Sequence, residues 1–382
     1  MRFIFAPDSF KGSLTAEKIC EILTREAYRF FPDAECISLP VADGGEGTIH
    51  ALLSIFGGEE IEKTITGPTG EPVQSSYARL PDGRCVVEMA KCCGLNMVSD
   101  KNRNPMYLTS YGLGEMIAHA LRDGAEEILI GLGGSATNDG GIGLLSALGA
   151  VFKSESGRIL EGLAADLSKV HSIDLANLNP LLSRAHLTVI SDVTNPLLGE
   201  TGATHVFGPQ KGADSLMIEK LEKGMTNYAD RFYDLLNMDI ASFPGAGAAG
   251  GAGAALTGVL YAEMKKGIDT ILDMADFTSL VRGASLVITG EGRCDFQTAR
   301  FGKVPAGVLV RCEKHSVPCA VIVGGMGPGA EELYELGNSM IYPVPDGPMT
   351  LENAIIGAED LVRKAADRIF WAFKAGIQMS KK

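Results

Sequence analysis

Short apolar runs alternate along this chain with segments in which apolar residues recur at helical spacing, and polar or glycine-rich loops separate the two. The first unit has a predicted strand over 2–6, a polar loop over 7–13 and a helix that begins near Thr15, and the next predicted strand covers 35–39. A short apolar run bounded by turn residues is typical of a buried strand, and a period of about 3.6 residues is typical of an amphipathic helix. The opening residues therefore predict two successive strand–loop–helix units.

The same alternation returns near the end of the chain. Strands are predicted over 286–288, 319–323 and 339–343, a helix is predicted over 303–312, and one long final helix is predicted from about Thr350. Two strands alone cannot bury both faces of a sheet. The first and last segments are therefore predicted to share one sheet.

We predict an α/β fold, in which residues 1–61 and 281–382 form a doubly wound, flavodoxin-like parallel sheet domain with helices on both faces. Residues 62–280 are predicted to form a large inserted second α/β domain. Within it, alternating residues and Pro or Gly turns over 63–95 predict hairpins, and the apolar run over 128–132 predicts a strand that leads into a glycine-rich loop.

The glycine-rich loop over 133–141 reads GGSATNDGG and stands between that strand and the start of a helix. Glycines let backbone N–H groups face a ligand, and a helix N-terminus favours an anion, so the loop predicts a phosphate site. The spacing Gly131-x-Gly133-x-x-Ala136, with Glu155 further along, also fits a loose dinucleotide fingerprint. ATP and a nicotinamide cofactor both fit the loop at this point.

Charged and hydroxyl side chains follow the predicted strands of the flavodoxin-like sheet. Loops after the carboxyl ends of parallel strands meet at one edge, where ligands bind in such sheets. We therefore expect the active site at this edge, in a cleft between the two domains. The residues of the sheet's loops are Asp8, Ser9, Lys11, Asp43, Glu46, Glu291, Arg293 and Asp295, and those of the insertion are Ser135, Thr137, Asn138, Asp192 and Lys211.

The amino-acid composition limits the kinds of molecule that this protein is expected to bind. The chain has 34 basic and 47 acidic residues, a net charge of -13, which disfavours nucleic acid and anionic membrane surfaces. The uncharged segment over 245–262 is rich in Gly and Ala, and therefore predicts close packing instead of a membrane span. The eight cysteines contain no Cys-x-x-Cys pair, which indicates reduced thiols in a cytoplasmic protein. A small-molecule substrate is the partner that remains.

Seven segments together resemble one known family, the type-1 glycerate kinases, and the likeness covers nearly the whole chain. The segments are 7–13 (PDSFKGS), 42–48 (ADGGEGT), 131–141 (GLGGSATNDGG), 192–197 (DVTNPL), 207–212 (FGPQKG), 245–251 (GAGAAGG) and 290–293 (GEGR). The family's Asp-x-Gln-Thr stretch and Gly-Lys turn are found over 295–303, with Arg300 and Phe301 where small or polar residues are usual.

The resemblance implies a cytoplasmic kinase of bacterial glyoxylate or sugar-acid metabolism, either a monomer or a homodimer. Its cofactors would be ATP and Mg²⁺, and its reaction would transfer the γ-phosphoryl group of ATP to the 2-hydroxyl of D-glycerate, giving 2-phosphoglycerate. Phosphoryl transfer needs backbone donors for the phosphates, carboxylates for Mg²⁺ and cations to neutralise charge. The backbone of the glycine-rich loop and the side chains singled out above together supply all three.

Each candidate residue is assigned the role that its chemistry suits. The catalytic candidates are Lys11, Asp43, Asp192 and Arg293; the substrate-binding candidates are Asp8, Ser9, Lys11, Arg293 and Lys211; the nucleotide-binding candidates are Gly133, Gly134, Ser135, Thr137 and Asn138; and the Mg²⁺ candidates are Asp192, Glu291 and Asp295.

Three alternatives stay open from the sequence. The first keeps the kinase and moves phosphorylation to the 3-hydroxyl. The second is an NAD-dependent hydroxy-acid dehydrogenase, which would bind nicotinamide in place of ATP at the glycine-rich loop. The third is a non-catalytic sugar-acid-binding protein, which would have no use for the four or more carboxylates expected near the ligand.

Overall fold

The computed structural model describes residues 1–380 and contains β-strands and α-helices in frequent alternation. The strands are β1 Arg2–Pro7, β2 Glu35–Ser38, β3 Glu59–Thr66, β4 Pro72–Arg79, β5 Cys85–Glu88, β6 Glu127–Gly131, β7 Val151–Lys153, β8 Ser172–Asp174, β9 His186–Ile190, β10 Glu263–Lys265, β11 Leu286–Glu291, β12 Cys319–Val323 and β13 Ser339–Pro343. The α-helices are α1 Ala16–Phe30, α2 Thr48–Phe56, α3 Met89–Cys93, α4 Tyr111–Arg122, α5 Ile142–Ala147, α6 Ala203–Phe207, α7 Ser215–Leu236, α8 Ala248–Ala254, α9 Gly267–Met274, α10 Phe277–Val281, α11 Phe296–Arg300, α12 Val304–Lys314, α13 Leu351–Ile356 and α14 Ala358–Ser380.

The chain divides into two compact units. The terminal unit consists of Met1–Asp43, His50–Ile55 and the chain from Gly267 onward, and the central unit consists of Gly44–Ile49 and Phe56–Lys266. Residues 267–280, which the sequence placed at the end of the insertion, belong to the terminal unit. The reason is packing, because α9 and α10 lie against α12.

The terminal unit contains a five-stranded sheet in the order β13-β12-β11-β1-β2, and every pairing in it is parallel. This is the flavodoxin-like order, so the predicted fold class is confirmed. Phe3, Ile4 and Phe5 of β1 are fully buried, as expected for a strand covered on both faces. Thr15 caps α1 by accepting a hydrogen bond from the Lys18 N–H at 3.2 Å, where the sequence placed the start of the helix.

The central unit is built on a six-stranded sheet in the order β10-β9-β6-β5-β4-β3. The strands β10, β9, β6 and β5 are parallel to one another, whereas β3, β4 and β5 form the predicted antiparallel hairpins. The carboxyl ends of β10, β9, β6 and β5 therefore lie at one edge, and the glycine-rich loop follows β6 there. The helix α8 packs its small residues in the interior, and within residues 1–380 no helix is both long and apolar enough to cross a membrane.

The final helix differs from its prediction. The sequence predicts one helix from about Thr350 with Leu351 and Ile355 on its apolar face, but the structure contains two helices, α13 and α14, with Gly357 between them. Glycine interrupts a helix more readily than other non-proline residues, because its backbone loses more freedom on folding. Leu351 is 77% exposed and Ile355 is 40% exposed, whereas Leu361 and Val362 of α14 are buried.

Candidate functional site

A cavity of about 350 Å³ lies in the terminal unit, where the loops after β1, β11, β12 and β13 meet. We call it the terminal cavity. The structure brings together here six of the residues that the sequence singled out, and adds a third cation. Its charged and hydroxyl lining residues are Asp8, Ser9, Lys11, Ser13, Asp43, Glu291, Arg293 and Lys303. Three carboxylates and three cations thus line one small cavity.

Asp8 is the most strongly perturbed of the carboxylates. Its side chain is 6% exposed, and its Oδ1 accepts a hydrogen bond from the Ser9 N–H at 2.6 Å. Burial, reinforced by the nearby charge of Asp43, raises the pKa of Asp8 to about 8, although Lys11 opposes the shift. Near neutral pH this carboxyl group therefore holds a proton that it can exchange.

Glu291, the last residue of β11, is also buried. Burial raises its pKa to about 7, against the opposing effects of a hydrogen bond from the Thr298 hydroxyl and of the Lys303 charge. Perturbed carboxyl groups that share a cavity are a common feature of functional sites. The terminal cavity contains two of them, Asp8 and Glu291.

The cations of the terminal cavity are accessible to a ligand. The side chain of Lys11 is 60% exposed, with its Nζ 4.0 Å from Asp43 Oδ2. The side chain of Arg293 is 74% exposed, with its Nε 3.7 Å from Asp295 Oδ2. An exposed ammonium and an exposed guanidinium that line one cavity suit a small anion, because Arg can contact a carboxylate or phosphate through two donors.

Lys303 is a cavity residue that was absent from the candidates. It precedes α12 and lines the terminal cavity. The signal that could have identified Lys303 was the Gly302-Lys303 turn, which is part of the family-like stretch over 295–303. Asp295 is a candidate that the cavity does not include among its lining residues. Its Oδ1 caps α11 by accepting a hydrogen bond from the Gln297 N–H at 2.9 Å.

The glycine-rich loop lies in the central unit, at the carboxyl end of β6. A Cβ atom at Gly133 would lie 2.4 Å from Gly45 Cα, and the Gly133 N–H donates to Gly44 O at 3.2 Å. Only glycine permits this approach of two backbones. Gly134 is exposed and has a φ of 75°, a conformation that side chains rarely adopt. The loop's accessible surface is therefore largely backbone.

Two of the nucleotide-binding candidates lie inside the unit. Thr137 and Asn138 are both 0% exposed, and Asn138 Nδ2 donates to Thr204 Oγ1 at 2.9 Å. Thr137 Oγ1 and Asn138 Oδ1 are buried without a hydrogen-bond partner among residues 1–380. In this structure a ligand at the surface of the loop meets Gly133, Gly134 and the edge of Ser135, which is 8% exposed.

Lys211 supports the loop from within. Its ammonium group is buried and donates to Ser135 Oγ at 2.8 Å and to the Thr137 carbonyl oxygen at 2.7 Å. Burial lowers the pKa of Lys211 to about 7, while the charge of Asp139 opposes this. The sequence suggested that Lys211 contacts the substrate, whereas the structure has it bonded to the glycine-rich loop.

Asp192 follows β9 in the central unit and is partly exposed. Among residues 1–380, no group of three or more His, Cys, Asp and Glu side chains is arranged to hold a metal ion. Mg²⁺ commonly binds through only one or two carboxylates, with water and substrate phosphates as its other ligands. The oxygen donors of the terminal cavity have the chemistry that such a site requires.

Comparison with known proteins identifies the family. Residues 3–374 match the glycerate kinase family. The chain is 42% identical to a glycerate kinase of Bacillus subtilis strain 168, over 100% of this chain and 99% of that one, and 40% identical to a glycerate 2-kinase of Escherichia coli K12, over 99% of each. A crystal structure of a glycerate kinase 2 from Salmonella typhimurium LT2 superposes with a TM-score of 0.85 at 39% identity, and covers 99% of both chains. The chain therefore belongs to the glycerate kinase family, a family of phosphotransferases.

Proposed function

We propose that this protein transfers the γ-phosphoryl group of ATP to the 2-hydroxyl of D-glycerate, giving 2-phosphoglycerate. Family membership supports the reaction class, and the E. coli relative is named a glycerate 2-kinase. The observation that carries the proposal is the terminal cavity, where exposed cations and near-neutral carboxyl groups line a space of about 350 Å³. A small anionic hydroxy acid is the substrate that this lining suits best.

The substrate carboxylate would meet Lys11 and Arg293, whose charged groups are exposed at the terminal cavity. The Ser9 side chain, which lines the same cavity, would hydrogen-bond a hydroxyl of glycerate. Lys303 is a third cation for the anionic groups, and we add it to the proposed site. Each of these contacts orients the substrate, which is a large part of catalysis in phosphoryl transfer.

Asp43 and Asp8 would handle the proton of the attacking hydroxyl. The charge of Asp43 is one reason why the pKa of Asp8 is raised to about 8, so Asp8 holds a proton near neutral pH. A base with a pKa near the working pH is the most effective, although a loose transition state demands little of it. We propose Asp43 as the group that orients the hydroxyl, with Asp8 beside it as the proton store.

The nucleotide phosphates would bind the accessible backbone of Gly133, Gly134 and Ser135. Mg²⁺, when bound, neutralises phosphate charge in the transition state. For its ligands we propose Glu291 and Asp295 in the terminal unit and Asp192 in the central unit. The cap that Asp295 forms on α11 occupies Oδ1 and makes it the weakest of the three.

The decisive experiment is ³¹P and ¹³C NMR of the purified protein with Mg-ATP and D-glycerate. We expect a new phosphate ester on C2 and the release of ADP. An ester on C3 would keep the kinase and overturn the regiochemistry. Unchanged ATP with no ester would overturn the kinase, and binding of NAD would then be tested at the glycine-rich loop. A parallel sample with excess EDTA checks the metal, because the proposal expects no product there.

Three further proposals come with this function. The protein would act in the cytoplasm, in the metabolism of glyoxylate or sugar acids, and as a monomer or homodimer. Light scattering on a size-exclusion column measures the mass directly, against the 40.3 kDa of one chain.

A further inference from the structure

A second cavity, of about 420 Å³, lies in the central unit and belongs to none of the sites described above. We call it the central cavity. Its walls include Val193, Phe243, Pro244 and Met264, which are apolar, and Thr194 and Thr257, which are hydroxylic. Binding sites for small organic molecules typically combine an apolar wall with a few polar groups, in a volume of about 300–1,000 Å³. The central cavity has both properties.

The position of the central cavity links it to the glycine-rich loop. Val193 and Thr194 follow β9, and Met264 lies in β10, the neighbouring strand. On its other side β9 pairs with β6, from whose carboxyl end the glycine-rich loop begins. Neighbouring strands are about 4.8 Å apart, so the cavity and the loop occupy adjacent positions at one edge of one sheet. In open α/β sheets, ligands bind at this edge.

One segment contacts both places. A Cβ atom at Gly245 would lie 2.2 Å from Met264 Sδ and 2.9 Å from the Val193 carbonyl oxygen, at the wall of the central cavity. A Cβ atom at Gly250, five residues later, would lie 2.1 Å from the Thr137 carbonyl oxygen of the glycine-rich loop. The segment that contains both glycines therefore packs against the cavity wall and the loop together.

The lining of the central cavity suits a nucleoside better than it suits a small acid. Phe243 provides an aromatic side chain on which a purine can stack, and the Thr194 hydroxyl group can hydrogen-bond ribose or base edges. The Thr257 hydroxyl donates to the Gly253 carbonyl oxygen at 2.8 Å and can therefore serve a ligand as an acceptor. Lys265 and Lys266 also line the cavity. Lys265 Nζ lies 3.0 Å from Glu263 Oε2, so its charge is shared with a carboxylate at the exposed surface.

We propose that the central cavity binds the adenosine part of ATP, while the glycine-rich loop beside it binds the phosphates. The proposal rests on the proposed kinase function and adds to it the place of the nucleoside. It assigns Phe243 as the residue on which the adenine ring stacks. It also predicts that a bulky side chain in place of Thr194 would block entry of the nucleoside into the central cavity. Neither residue was among the nucleotide-binding candidates.

The test uses two variants of the full chain and one control. Thr194→Trp fills the cavity from an exposed position, and Phe243→Ala removes the stacking face. The control is Tyr233→Ala, which removes an aromatic side chain that is 53% exposed on α7, outside the cavity. Circular dichroism and thermal unfolding verify that each variant is folded. Because Thr194→Trp adds volume to the cavity and Phe243→Ala removes it, the proposal can still be tested if one of the two variants fails to fold.

Two measurements follow for each protein. Calorimetric titration with adenosine alone, and then with Mg-ATP, reports binding without catalysis. Steady-state kinetics then report KM for ATP and KM for glycerate separately. In both cavity variants we expect adenosine binding to be lost and KM for ATP to rise about 10-fold or more, as the loss of one stacking contact would cause. KM for glycerate stays within about twofold, because the terminal cavity is unchanged.

The outcomes separate this proposal from the kinase proposal. Wild-type phosphorylation of glycerate with unchanged KM for ATP in both cavity variants would overturn the nucleoside site and leave the kinase intact. Adenosine binding that only the cavity variants lose, in a protein that forms no phosphoglycerate, would support the site and overturn the kinase. A wild-type protein that binds neither adenosine nor ATP would overturn both. An equal loss in the Tyr233→Ala control would also count against the site.

Discussion

At the scale of single residues, burial changes what an ionisable side chain does. Lys211 and Asp8 have residue types that are usually found in water, yet both are almost completely buried. Lys211 uses its ammonium group as a donor to Ser135 and Thr137, which holds the glycine-rich loop in shape. Asp8 holds a proton near neutral pH, because its charged form is poorly solvated. Both roles depend on desolvation as much as on charge.

Replacement of Lys211 by Met tests the supporting role. Met keeps much of the volume and removes both hydrogen bonds, which leaves a buried hydroxyl and a buried carbonyl group without their donor. The expected cost is about 1–3 kcal/mol of unfolding free energy, with an increase in KM for ATP. Urea denaturation and steady-state kinetics measure the two effects. Lys220→Met, at an exposed position of α7, is the matched control. Equal stability of the two variants would contradict the role of Lys211 in the loop.

The raised pKa of Asp8 predicts a pH dependence with a definite sign. In the folded state the raised pKa of Asp8 keeps this group protonated up to about pH 8, whereas in the unfolded state it loses its proton near the ordinary aspartate pKa of 3.8. The folded state therefore binds more protons between these values, and the contribution of Asp8 to stability falls as the pH rises through this window. An asparagine side chain does not ionise, so in Asp8→Asn this pH-dependent contribution is absent. Its stability relative to the wild type should increase by up to ~1.4 kcal/mol per pH unit between pH 5 and pH 7.

Urea denaturation of the wild type and of Asp8→Asn at pH 5, 6 and 7 measures this difference. A constant difference across the three pH values would show that the carboxyl group ionises normally in the folded protein. Asp33, which is exposed and lies outside the terminal cavity, supplies the control through Asp33→Asn, for which we expect no such slope.

At the scale of secondary-structure elements, the structure differs from the prediction made from apolar periodicity mainly in the loops and at the ends of helices. The strands and most helices begin and end close to their predicted positions, because apolar spacing reports burial of one face or both. The last helix is divided at Gly357, and Leu351 and Ile355 of the resulting α13 line the terminal cavity instead of a buried core. An amphipathic pattern tells which face is apolar, but it does not tell whether that face meets a core or a cavity.

The glycine-rich loop allows a test of backbone packing. In Gly133→Ala the new methyl group would lie 2.4 Å from Gly45 Cα, so one of two backbone segments must move. We expect a loss of about 1–3 kcal/mol in unfolding free energy, as for other overpacked sites, and weaker ATP binding. Gly376→Ala in α14, where nothing lies within 4 Å of the added carbon, is the control and should be neutral or slightly stabilising. Equal behaviour of both variants in urea denaturation would contradict the close approach.

At the scale of the whole molecule, the terminal and central units each have a parallel sheet edge with ligand-binding features. The sequence places the active site in a cleft between two domains, and this stays a prediction. It leads us to expect that the protein becomes more compact when both substrates bind. Small-angle scattering with glycerate and a non-hydrolysable ATP analogue measures the radius of gyration. An identical radius with and without the two ligands would count against closure.

The sequence by itself determined the family, the flavodoxin-like sheet and the cavity residues Asp8, Lys11, Asp43, Glu291 and Arg293. The family followed from seven matching segments, and the cavity residues followed because the loops of a parallel sheet meet at one edge whatever the remaining details are. It did not determine that Thr137, Asn138 and Lys211 are buried, or that Phe243 shares a cavity with Met264. Burial and pKa values depend on segments far apart in the chain that pack over a residue, as Gly250 packs over Thr137, and only the tertiary structure brings those segments together.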